Sequence, residues 1–141
     1  MYLWATNNHL AKAAALIELL GFRYITAITW VKPRFGLGQY FRGQTEHLLF
    51  AVRGKGLQVA RKRRRSFPTV IHAPHVRGVT GKTVHSAKPV EFYELIEAAS
   101  RGPRAEIFAR RSWPGWPSWG NEIDVSTSGL RARAGEKKGG A

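Results

Sequence analysis

Phe22-Arg23-Tyr24-Ile25-Thr26-Ala27-Ile28-Thr29-Trp30-Val31 is the stretch on which the fold turns. Aromatic and β-branched side chains dominate it, and Arg23 is its single charge. That composition suits a central strand covered on both faces. Upstream, Tyr2-Leu3-Trp4-Ala5-Thr6 reads as a short buried strand. Between the two, Leu10, Ala13, Ile17 and Leu20 recur at helical spacing, with Asn7 or Asn8 as the N-cap and Gly21 as a left-handed C-cap.

Downstream, a Gly-rich connection leads to a second strand expected over Glu46 to Val52, and Val70-Ile71 suits a short third one. The spacing predicts a helix from Pro89 to Ala99, with Pro89 in the first helical position and Phe92, Leu95, Ile96 and Ala99 on one apolar face. Gly102-Pro103 ends that helix, and Ala105 to Ala109 follows as a buried strand. Strand, helix, strand, hairpin-like pair, helix and strand make the rhythm of an α/β sheet domain. Ligands in such domains sit where loops leave the carboxyl ends of strands.

A chain of 141 residues can build one domain with a real core, and a hydrophobic content of 43% argues against wholesale disorder. Cysteine is absent, which excludes disulfides and thiolate metal sites and suits a reducing cytoplasm, the location expected here. No apolar run reaches the length of a membrane span, and the first residues lack the basic flank and cleavage site of a signal peptide. His72 and His75 have no acidic or thiol neighbour to complete a metal site, and a solvent-facing pair is the expected reading.

The formal charge of +14 is the strongest compositional fact. It concentrates in Arg61-Lys62-Arg63-Arg64-Arg65, beside Arg53 and Lys55, and again at Arg131, Arg133, Lys137 and Lys138. A nucleic-acid partner accounts for this clustering, with Arg61, Arg63 and Arg65 as phosphate contacts; a solvated basic loop is the alternative. From residue 125 to 141 the sequence turns to Ser, Gly, Arg, Lys and Ala without periodicity, and a basic disordered tail is expected there. Gly78-Val79-Thr80-Gly81-Lys82-Thr83 ends like a phosphate-binding loop, but Val76 stands where its first glycine belongs.

Five phrases in order resemble the MT-A-seventy-like family of adenine-N6 methyltransferases, and most closely its phage and bacterial branch. They are Leu3-Trp4-Ala5-Thr6, Trp30-Val31-Lys32, Gly38-Gln39-Tyr40 through Gly43-Gln44-Thr45-Glu46-His47, Ser86-Ala87-Lys88-Pro89, and Glu106-Ile107-Phe108-Ala109-Arg110 running to Trp119-Gly120-Asn121-Glu122. The family also includes the messenger-RNA methyladenosine writer. The resemblance covers residues 1–124 and implies a Rossmann-like, S-adenosylmethionine-dependent methyltransferase sheet with flanking helices, incomplete at the N-terminus.

By the same resemblance, Lys88 is expected to hold the carboxylate of the methyl donor, Arg110 and Asn121 to contact its ribose and nearby groups, and Glu122 to hydrogen-bond ribose or adenine. Lys32, Tyr40, Arg42, Glu46 and His47 fall in the family's target-recognition loop and following strand. Lys32 and Arg42 would touch phosphate there, and Tyr40 would stack on a base. The competing reading makes Tyr40-Phe41 a hydrophobic plug. Trp113, Trp116 and Trp119 are expected to pack against the sheet as a rigid lid.

The family's catalytic signature is Asp-Pro-Pro-Trp, which occurs nowhere in these 141 residues. Its expected place is upstream of the strand at Tyr2–Thr6. A truncated product, a partner methyltransferase subunit that supplies the motif, and a non-catalytic nucleic-acid-binding module each account for that. The functional expectation is therefore methylation of adenine N6 in nucleic acid, DNA before RNA, with the module as the alternative.

Overall fold

The computed structural model describes residues 1–38, 40–54, 66–78 and 80–120. Its strands are β1 (Tyr2–Thr6), β2 (Arg23–Val31), β3 (Thr45–Val52), β4 (Val70–His72), β5 (Glu106–Ile107) and β6 (Ser118–Trp119), and its α-helices are α1 (Leu10–Leu19) and α2 (Val90–Ala99). β1 to β4 form one mixed sheet in the order β1-β3-β2-β4, and β5 and β6 pair separately in parallel. β3 runs antiparallel to both β1 and β2, whereas β4 runs parallel to β2. Thus β1, β2 and β4 point one way, and their carboxyl ends share one rim of the sheet.

Register divides the side chains between two faces, because residues directly opposite each other point to the same side. Trp4 faces Leu48, which faces Ile28, and Trp30 faces Glu46. Those apolar residues pack with Phe92 and Ile96 of α2 in one core. On the other face Leu49 and Ala51 pack with Ala13 and Ile17 of α1. One helix on each side of a mixed sheet gives an α/β arrangement with two small cores.

The expected central strand is interior to the sheet, but Arg23, Tyr24 and Ile25 at its start are exposed. A register shift between Tyr24 and Thr26 marks where its pairing becomes regular. β1 is an edge strand in which Ala5 alone is buried, so it is less covered than its composition suggests. Gly21 does close α1. Its φ is +74°, its N–H donates to Glu18 O, and the Phe22 N–H donates to Ile17 O.

Three local expectations need correction. Neither Asn7 nor Asn8 caps α1: they lie in a 3-10 turn, His9 occupies the N-cap, and no side-chain cap bond forms. The Asn7 amide is engaged elsewhere, with Thr45 and His47. Pro89 is the N-cap of α2, with extended ψ of 150°, and not its first helical residue.

The strand expected over Ala105–Ala109 shrinks to Glu106–Ile107, with Ile107 and Phe108 exposed. A φ of +65° at Phe108 breaks the extended run, and Ala109 then turns inward to complete burial. No helix among the described residues is long and apolar enough to cross a membrane.

Candidate functional site

At the carboxyl rim the apolar face of the sheet ends in a charged cluster. Glu46, at the start of β3, accepts a hydrogen bond from Lys32 Nζ at 2.5 Å on one carboxylate oxygen and from Lys88 Nζ at 2.5 Å on the other. Lys32 follows β2 and Lys88 precedes α2, so three chain segments meet on one carboxylate. The three side chains are about 15% exposed. Each ammonium also lies over an indole: Lys32 is 4.9 Å from the Trp30 ring and Lys88 4.8 Å from the Trp4 ring.

The electrostatics follow from that geometry. Burial alone would raise the Glu46 carboxyl, but the two lysines outweigh it and hold it below the ordinary carboxylate value. Two ammonium groups on one carboxylate leave a net positive charge at the rim. Trp4 and Trp30 meet edge to face at 6.3 Å, and Trp4 packs on Phe92 at 4.7 Å, so the lysines rest on a supported wall. Trp30 is fixed further by donating from Nε1 to Ala73 O.

Glu46 is the residue whose importance the sequence did not disclose, for it stood there merely as part of the recognition segment. Its alternation with Leu48 and Phe50 was a usable signal, since it puts an acid on an otherwise apolar face. Lys32 and Lys88, which sequence reasoning assigned to phosphate and to the methyl donor, are brought together on it.

Beside this cluster a cleft of about 1100 Å³ is lined by Thr6, Asn7, Lys32, the 36–38 segment, Tyr40 to Arg42 and Glu46. Asn7 in its lining belongs to a polar chain with His47 and Thr29. His47 Nε2 donates to Asn7 Oδ1 at 2.7 Å, which leaves Nδ1 to accept from the Thr29 hydroxyl at 3.1 Å. Burial lowers the His47 imidazole below its ordinary value, and nearby Glu46 opposes this. Tyr40 and Phe41 are each 93% exposed, so they plug nothing. Arg42 donates to Gly36 O and stacks over Phe35.

A second network joins α2 to the β5–β6 pair. Tyr93 donates to both oxygens of Glu106, and Arg111 lies over the Tyr93 ring and donates to Lys88 O. Burial, with help from Glu106, pushes the Tyr93 hydroxyl up to about 12. Burial also raises the Glu106 carboxyl, against the pull of Tyr93, Arg111 and Lys88. Arg111 carried no sequence signal that set it apart from Arg110. It ties the turn after β5 to the segment holding Lys88, while Arg110 lies half-buried next to buried Ala109.

Trp113 and Trp116 pack on α2. Trp113 stacks on Tyr93 at 4.7 Å, Trp116 meets it edgewise, and both indoles donate to Glu97. Trp116 also joins the larger core, whereas Trp119 is half-exposed. His75 packs edgewise on Trp30 at 5.5 Å and is not a solvent-facing partner of His72. Arg61, Arg63, Arg65, Asn121, Glu122 and the expected tail lie outside the described residues.

The family model described as MT-A70 matches residues 1–122. The Type II methyltransferase M.MunI of Mycoplasma sp is 30% identical over 141 positions, covering 92% of this chain and 54% of that protein. A probable N(6)-adenosine-methyltransferase MT-A70-like protein of Oryza sativa subsp. japonica is 30% identical over 147 positions, covering 94% of the chain and 19% of the relative. The human N(6)-adenosine-methyltransferase catalytic subunit METTL3 is 27% identical over 135 positions, covering 88% and 22%. The chain thus spans about half the length of the first relative and about a fifth of the other two.

Proposed function

The chain belongs to the MT-A70 family, and from that premise we propose that it serves transfer of a methyl group from S-adenosylmethionine to adenine N6 in nucleic acid, DNA before RNA. The observation that carries this reading is the Lys32–Glu46–Lys88 cluster at the carboxyl rim of β1 and β2. A Rossmann-like sheet is part of the proposal. Its support is the common direction of β1, β2 and β4 and the siting of the cluster at their carboxyl ends.

The residues present suit a donor that carries a carboxylate and an aromatic base. Lys88 has three N–H donors and spends one on Glu46, and the cluster keeps a net positive charge. In the proposal Lys88 binds the donor's carboxylate, Glu46 fixes the position of Lys88, and Arg110, Asn121 and Glu122 contact ribose and adenine. Lys32 and Arg42 meet phosphate, together with Arg61, Arg63 and Arg65, and Tyr40 stacks on a base. S-adenosylmethionine supplies an electrophilic methyl group on its sulfonium.

The adenine amino lone pair is delocalised into the ring, so the site must accept the amino hydrogens to draw that pair toward the methyl group. No residue of this sequence is assigned that role, because it holds no Asp-Pro-Pro-Trp. The basic run Arg61-Lys62-Arg63-Arg64-Arg65 supports a second reading, a nucleic-acid-binding module that works with an active partner. Calorimetric titration with S-adenosylmethionine, followed by transfer of labelled methyl to DNA and RNA, separates the two. Saturable binding lost in Lys88→Ala, with label in N6-methyladenine, is expected for the enzyme. Binding of nucleic acid without donor binding would establish the module and sink the enzyme.

A further inference from the structure

Leu37, Tyr40 and Phe41 are 98%, 93% and 93% exposed, on a segment that lines the cleft beside Glu46. Large apolar side chains grouped at one tip mark a surface that meets something. The tip is mounted on a closed neck. Lys32 N–H donates to Gln44 O, Gln44 Nε2 returns a bond to Lys32 O, Gly36 N–H donates to Gly43 O, and Gly43 N–H donates to Leu37 O. The turn is tight enough that a Cβ on Gly38 would stand 2.1 Å from Phe41 O. Lys32 and Arg42 line the cleft beside the tip, and Arg34 precedes it in sequence.

We propose that Leu37 and Phe41 form a wedge that enters the base stack of duplex DNA and opens the pair holding the target adenine. This rests on the adenine-N6 reading above. In a closed A·T pair the N6 amino group is hydrogen-bonded to thymine, so its lone pair cannot be presented to a methyl donor until the base leaves the stack. Apolar side chains inserted at a base step meet part of the unstacking cost, a few kcal/mol, with contacts of their own. Lys32 and Arg42 supply the phosphate attraction that a lone apolar tip lacks. The cleft behind the tip, walled by Thr6, Lys32 and Glu46, is where an extruded base would arrive.

The test compares binding of the full chain to a paired duplex, to the same duplex with a central A·C mismatch, and to the single strand. A mismatch lowers the opening cost, so the wild-type chain is expected to bind it roughly tenfold more tightly than the paired duplex. In Leu37→Ser/Phe41→Ser that preference should fall to about twofold or less, with single-strand affinity unchanged. Enhanced 2-aminopurine fluorescence beside the mismatch should disappear in the same variant. Both positions are exposed, and circular dichroism confirms that the variant folds.

Equal binding of paired and mismatched duplex by the wild type, or a preference that survives in the variant, overturns the wedge alone. Binding to anionic phospholipid vesicles that depends on Leu37 and Phe41, without a mismatch preference, overturns it in favour of a lipid surface. No affinity for any nucleic acid overturns the wedge and the proposed function together.

Discussion

Lys88 Nζ and Glu46 Oε2 stand 2.5 Å apart although 42 residues separate them in sequence. With Lys32 on the other oxygen, Glu46 ties the start of β3 to the end of β2 and to the entrance of α2. Glu46→Gln would leave two ammonium groups facing each other on a half-buried rim. The expected loss is about 1–3 kcal/mol, below that of a fully buried pair because the rim is partly solvated. Urea denaturation at neutral pH measures it. Lys32→Met in the Glu46→Gln background should recover part of the loss, and purely additive effects would contradict the shared carboxylate.

Glu46 and Glu106 should give stability profiles of opposite sign. The Glu46 carboxyl is held below its ordinary 4.5, so its contribution is complete above that value and is lost as pH falls through the lower folded value. The Glu106 carboxyl is raised above 4.5, so ionising it costs the folded state, and the cost develops as pH rises from 4.5 through the folded value. Denaturation from pH 3 to pH 7 should therefore show Glu46→Gln falling behind wild type as pH rises toward about 4.5, with a constant gap above that value. Glu106→Gln, whose amide oxygen still accepts from Tyr93, should gain on wild type over the rising limb. Parallel profiles for the two variants would contradict both assignments.

Much of the fold was legible because periodicity reports burial. β1, β2, β3 and α2 lie within a residue or so of their expected bounds, since Phe92 and Ile96, or Leu48 and Phe50, recur at the spacing their element imposes. Pairing partners were not legible, since nothing local says that β3 lies between β1 and β2. The segment from Ala105 to Ala109 failed for a related reason: its apolar composition suits burial, but Phe108 turns out at positive φ. At the site, Lys32 and Lys88 were legible as cations, and their meeting on Glu46 was not. That contact depends on a tertiary register no local pattern encodes.

Gly120 and Gly21 should respond very differently to alanine. At Gly120 a Cβ would lie 1.9 Å from Ala109 O and 2.6 Å from Ala109 N, so the backbone of the β5–β6 pair must separate. At Gly21 the space is open and the penalty comes from φ of +74° alone. Gly21→Ala should cost about 1 kcal/mol, and Gly120→Ala about 2 kcal/mol or more. Thermal melts rank the two, and the same or the reverse order would show that the Ala109 contact is relieved by small shifts.

Phe92 links the core to the site. It is 1% exposed, and its ring supports Trp4 at 4.7 Å, on which Lys88 rests at 4.8 Å. Phe92→Ala removes a fully buried aromatic and should cost about 3–5 kcal/mol. Phe92→Leu keeps most of the volume and should cost less than about 1.5 kcal/mol. That milder variant is the informative one, because it leaves the chain folded while withdrawing the edge contact that steadies Trp4. Under the donor-binding proposal, calorimetry on Phe92→Leu should show weaker S-adenosylmethionine binding with an unchanged far-ultraviolet spectrum. Donor affinity equal to wild type would mean that Glu46 alone is enough to position Lys88.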